Sequence, residues 1–126
     1  MIKGNRKAGL LASFTVREHT LLSGLSPKIG GSDEGLDPHE LLEASLAACT
    51  ILTCQLYAQR KQWKLESTNV TVSVVSESKE ASRIVREISF VGELSEDERA
   101  RLLDIAGRCP IHLLLQSKVS VETKVV

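Results

Sequence analysis

Three cysteines, Cys49, Cys54 and Cys109, are the residues of this chain best suited to chemistry. A thiolate can act as a nucleophile, a metal ligand or a site of reversible oxidation, and its surroundings decide which. An odd and small number of cysteines does not build an extracellular disulfide framework; in a reducing compartment sparse cysteines are buried, metal-bound or catalytic. Cys49 lies in an apolar run beside the small residues Ala44, Ser45, Ala47 and Ala48. By composition it is a small core hydrophobe, yet such neighbours let another element or subunit pack close to its sulfur. Cys109 follows Gly107-Arg108 and precedes Pro110, which places it at the mouth of a helical turn. There amide dipoles and the Arg108 cation could stabilise a thiolate, and the alternative is an inert loop cysteine. Cys54 stands five helical positions from Cys49, about 140° round and about 7.5 Å along the axis, too far for a disulfide. Packing is its expected role.

Other chemistries find less support. Cys49, Cys109 and His112 could supply three metal ligands, but the close pairs of structural zinc sites (CxxC) and the HExxH of catalytic ones do not occur, so no metal is expected. There is no GxSxG, and the three histidines have no evident nucleophile partner. The loop Gly30-Gly31-Ser32-Asp33-Glu34-Gly35 lacks the GKS/T or GxGxxG form that cradles phosphate and is read as a connector, with no cofactor expected. Sixteen basic and sixteen acidic residues cancel, and no run of Lys or Arg forms a cationic face, so nucleic acid and anionic lipid are not favoured partners. Three basic residues precede the uncharged stretch Ala8 to Val16, but that stretch is short and no small-x-small cleavage pattern closes it. The longest apolar run, Leu41 to Leu56, is interrupted by Glu43 and is too short to span a bilayer. A single domain over residues 1–126 in the cytoplasm, with no membrane partner, is the expectation.

The elements that must position the cysteines follow from periodicity. Leu10 to Arg17 and Thr20 to Ser23 read as strands around a turn at Glu18-His19. Asp37 as cap, Pro38 at the first helical position and Glu40 at the third open a long helix to about Lys61, closed by Arg60 and Lys61. Leu42, Leu46, Cys49, Thr53 and Leu56 share one stripe of it, and Leu41, Ala44, Ala48, Ile51 and Leu52 cover the flanks. Such a helix is expected to be buried nearly all round. Alternation predicts strands at Asn69 to Ser76 and Ile84 to Val91, joined as a hairpin. Ser95 and Glu98 open a second helix ending near Gly107, Pro110 to Gln116 forms a short helical turn, and Lys118 to Val126 reads as a last strand. Runs of strands separated by single helices predict an α+β fold with a mainly antiparallel sheet.

The stretch Asp37-Pro38-His39-Glu40-Leu41-Leu42-Glu43-Ala44-Ser45-Leu46-Ala47-Ala48-Cys49-Thr50, with Tyr57-Ala58 and Lys61-Gln62-Trp63, resembles the helix signature of the osmotically inducible protein C and organic hydroperoxide resistance family. Leu102 to His112 resembles that family's second-cysteine segment, and Arg86-Glu87-Ile88 and Gly92-Glu93-Leu94 also fit. The resemblance implies an OsmC-like fold with a long buried central helix and a second helix, assembled as an intertwined homodimer. It also implies a thiol-dependent peroxidase for organic hydroperoxides, with Cys49 as the peroxidatic and Cys109 as the resolving cysteine. The partners implied are the hydroperoxide and an external dithiol or lipoyl-type reductant.

Members of the family usually activate the peroxidatic thiolate with an arginine from the N-terminal strand region, set in turn by a glutamate. Arg17 and Glu40 are the candidates here, with a departure: His39 occupies the usual glutamate position. Nine helical residues place Glu40 about 13.5 Å along the axis from Cys49 and on roughly the opposite face, so Glu40 would act only across a dimer interface, and a helix-capping acid is its other reading. That departure keeps open a second function, a non-enzymatic dimer of the same fold that binds a small apolar ligand or senses oxidants.

Overall fold

The computed structural model describes all 126 residues. It is α+β, with antiparallel sheets and three α-helices, and divides into two compact units, Met1–Glu43 and Ala44–Val126.

The first unit is a three-stranded meander of β1 (Lys3–Ala8), β2 (Leu11–Val16) and β3 (His19–Gly24). The turn joining β2 to β3 falls at Arg17-Glu18, one residue before its expected place, and Val16 pairs with His19. Arg17 takes a left-handed backbone, φ 54°, which a two-residue hairpin loop requires at its first position and a side chain adopts at some cost. β1 was not expected, because all six residues are exposed; a strand with no buried face leaves no alternation to read, and backbone pairing from Lys3↔Thr15 to Ala8↔Leu11 makes it. The glycine-rich loop connects, as its sequence suggests: a Cβ at Gly31 would overlap the carbonyl of Leu25. Leu36 then returns to the sheet, its carbonyl accepting from Ser23 Oγ at 2.8 Å and from the Gly24 amide at 3.2 Å.

Helix α1 (Pro38–Lys61) starts as predicted. Asp37 Oδ1 accepts from the Glu40 amide at 2.9 Å and Glu40 Oε2 from the Asp37 amide at 3.0 Å, a reciprocal cap. At 24 residues α1 is long and apolar enough to cross a membrane by length and composition, a test that the core helices of soluble proteins also pass. The expectation that this segment is too short counted only the apolar run Leu41 to Leu56.

In the second unit β4 (Lys64–Glu77) and β5 (Ser82–Glu93) form one long hairpin, extending beyond the predicted strands because its polar ends pair without apolar alternation. Helix α2 (Glu96–Ala106) opens with the predicted capping box, Ser95 Oγ accepting from the Glu98 amide at 3.1 Å. Arg99 fastens α2 to the sheet by donating to the carbonyls of Phe90 (2.6 Å) and Gly92 (3.1 Å). Helix α3 (Pro110–Gln116) follows at once. Cys54 and Ala58 of α1, Leu65 of β4, and Leu102 and Ala106 of α2 form the core, with Ile88 and Phe90 of β5 packed against it.

Two expectations fail for the isolated chain. α1 is not buried all round: its buried residues are Leu46, Thr50, Cys54 and Ala58, a single row at four-residue spacing, while Leu52 is 68% exposed and Leu56 49%. One hairpin and one short helix cover only one face of a helix. Lys118 to Val126 forms no strand, and Val121 is 83% exposed; alternation identifies a segment able to pair, but a strand exists only where a neighbouring edge takes its amides and carbonyls.

Leu102 is fully buried at the centre of the core, so Leu102→Ala should destabilise the protein by about 2–5 kcal/mol. Chemical denaturation would show this as a lowered midpoint, and an unchanged midpoint would contradict the packing described.

Candidate redox site

Cys49 and Cys109 come together where α1 meets the start of α3. Cys109 caps α3: its Sγ accepts from the His112 amide at 3.3 Å, its carbonyl from the Leu113 amide at 3.1 Å, and Pro110 occupies the first helical position. Cys109 is fully buried. Cys49 is half-buried on α1; Thr53 Oγ1 lies 3.8 Å from its Sγ, and the Ile111 amide and the Cys109 thiol act on its ionisation. The two thiols bear on each other's ionisation.

Their proton affinities are opposed. Burial alone would raise the Cys49 thiol, but the Ile111 amide, the Cys109 thiol, Thr53 and the charge of Arg86 together outweigh it and hold Cys49 below the ordinary thiol range. For Cys109 burial dominates and raises the thiol; the His112 amide pulls the other way, and Cys109's role as donor to Cys49 adds to the rise. Cys49 is therefore the more readily ionised of the two thiols. This reverses the expectation that Arg108 would favour a thiolate at Cys109: Arg108 Nη2 pairs instead with Asp104 at 3.0 Å. Cys54 behaves as expected, fully buried, with Sγ 3.7 Å from the Leu102 carbonyl and its thiol pushed up to about 11, chiefly by burial.

Arg86 of β5 is the residue that sequence reasoning missed. Its Nη1 donates to Thr50 Oγ1 at 2.9 Å and its Nη2 lies 3.2 Å from His112 Nδ1. Its charge acts on all three cysteines. The signal was present, since Arg86 alternates with Ile84, Ile88 and Phe90 on one face of its strand, and a lone cation on an apolar face asks for a reason. With His112, Leu46, Ile84 and Leu115 it lines a cavity of about 340 Å³. The two activating residues chosen from the sequence lie in the first unit: Arg17 at the β2–β3 turn, and Glu40 with its carboxylate in the α1 cap. Cys49, Cys109 and His112 do not converge as a metal-binding cluster.

The family model for OsmC-like protein matches residues 31–124, and the chain belongs to that family. Three similar solved structures share its fold. An OsmC-like protein from Mycoplasma pneumoniae is 24% identical with a TM-score of 0.75, over 92% of this chain and 86% of that one. The organic hydroperoxide resistance protein OsmC from Legionella pneumophila is 20% identical with a TM-score of 0.67, over 92% and 88%. An organic hydroperoxide resistance protein from Elizabethkingia anophelis with thiocyanate bound is 19% identical with a TM-score of 0.65, over 90% and 86%. No curated protein matches the sequence.

Because the Cys109 thiol donates to the Cys49 thiolate, Cys109→Ala should raise the pKa of Cys49 and slow its alkylation by iodoacetamide at neutral pH by about threefold to tenfold. Alkylation followed peptide by peptide against pH measures this; an unshifted Cys49 profile would show that the two sulfurs do not share the proton.

Proposed function

We propose that this protein is a thiol-dependent peroxidase that reduces organic hydroperoxides through a two-cysteine cycle. What carries the reading is a pair of thiols that act on each other and shift in opposite directions, Cys49 down and Cys109 up. Family membership and a fold shared with organic hydroperoxide resistance proteins support a stress-related redox role.

In the first step the Cys49 thiolate attacks a peroxide oxygen. The S–O bond forms as the O–O bond breaks, Cys49 becomes a sulfenic acid, and the departing alkoxide takes a proton to leave as an alcohol. The Cys109 sulfur then attacks the sulfenic sulfur; a disulfide forms, and the hydroxyl leaves as water with the Cys109 proton. An external dithiol, of lipoyl type in this reading, reduces the disulfide and is itself oxidised, returning both thiols. The adjacency of the sulfurs lets the second step follow without large movement.

The functional unit in this reading is a homodimer in the cytoplasm. Exposed Leu52 and Leu56 on α1 and the valines after Lys118 supply apolar surface that a second copy would cover. In this reading Arg17 and Glu40 act on Cys49 across such an assembly.

Peroxide loss with cumene hydroperoxide and a dithiol reductant tests the proposal. Cys49→Ser should reduce turnover by about a thousandfold or more, as loss of a nucleophile does. Equal rates in the two proteins would sink the proposal.

A further inference from the structure

Arg86 is held by two side-chain hydrogen bonds, to Thr50 of α1 and His112 of α3. The Thr50 hydroxyl donates to the Leu46 carbonyl at 2.7 Å, which leaves its oxygen free to accept from Arg86 Nη1. The other arm of the guanidinium meets His112 Nδ1. Arginine only donates, so Nδ1 must be the acceptor and the imidazole is neutral, with its proton on Nε2. Both anchors of the guanidinium are thus uncharged, and its positive charge is left to act on the sulfurs. We propose that His112 is a positioning residue for the Cys49 thiolate: through Nδ1 it holds Arg86, with Thr50, where Cys49 feels the guanidinium charge. The inference rests on Cys49 being the attacking sulfur.

A consequence is that thiolate reactivity depends on the protonation of His112. Burial, and then the charge of Arg86, hold the imidazole below the ordinary histidine range. The groups facing it are Arg86 of β5, Leu46 and Thr50 of α1, and Leu115 and Gln116 of its own helix, with Cys49 and Cys109 as the neighbouring titratable thiols; of these, Arg86 carries the fixed charge. Once protonated, the ring has no acceptor to offer and repels the guanidinium. As pH falls below the ordinary histidine range, Cys49 should therefore lose reactivity more steeply than one titrating thiol would.

Peptide-resolved alkylation of Cys49 by iodoacetamide tests this without any peroxide, so it stands apart from the assay of peroxidase activity. Below the pKa of Cys49, Arg86→Gln should slow alkylation about threefold and His112→Phe about twofold or more, while His112→Asn, whose Oδ1 can stand in for Nδ1, should stay close to the wild-type rate. The double variant Arg86→Gln/His112→Phe should be no slower than Arg86→Gln alone, because His112 acts through Arg86. Every variant keeps the His112 amide bond to Cys109. His112→Phe alkylating at the wild-type rate, additive losses in the double variant, or a single-proton slope in acid would each overturn the proposal. An unchanged Cys49 profile in His112→Phe, with peroxidase activity still abolished by Cys49→Ser, would overturn only the role of His112, whereas activity surviving Cys49→Ser would overturn the proposed function instead.

Discussion

The site depends on one interaction, the hydrogen bonds that the start of α3 delivers to the Cys49 sulfur. A half-buried thiol is ordinarily harder to ionise, and here burial is the largest influence on Cys49. Donors outweigh it only because α3 begins where it does. Cys109 caps the helix and takes the His112 amide on its sulfur, while the Ile111 amide favours ionisation of Cys49.

That placement is set by the core of the second unit. Leu102 and Ala106 of α2 pack on Cys54 and Ala58 of α1, which fixes the rotation of α2 against the row of α1 next to Cys49. Gly107 and Arg108 then lead directly into Cys109, whose amide donates to the Ala106 carbonyl at 3.4 Å. Cys54 has no part in the chemistry proposed, yet it helps hold the two helices that carry the reactive pair. β5 contributes from the other side, presenting Arg86 from the apolar face of its strand to Thr50 and His112.

Much of this was legible in the sequence where the signal is local. The Asp37-Pro38-Glu40 and Ser95-Glu98 caps, the hairpin and the inert character of Cys54 follow from spacing and residue type, and the structure agrees at each. The features misread depend on partners distant in sequence. β1 carries no apolar alternation because it is exposed throughout, and the valines after Lys118 alternate with no adjacent edge in the chain. Arg86 was noticed only as part of a motif, since nothing near it in sequence shows that Thr50 and His112, 36 and 26 residues away, will hold it. The part offered to Arg108 fails for the same reason: it adjoins Cys109 in sequence, but its charge goes to Asp104.

The central claim, that Cys49 and Cys109 work as an attacking and resolving pair, is tested most directly by mass spectrometry of the protein quenched within seconds of adding one equivalent of an organic hydroperoxide. The account predicts an intramolecular Cys49–Cys109 disulfide, with Cys54 still reduced. Slow, indiscriminate oxidation of all three cysteines without that disulfide would contradict it.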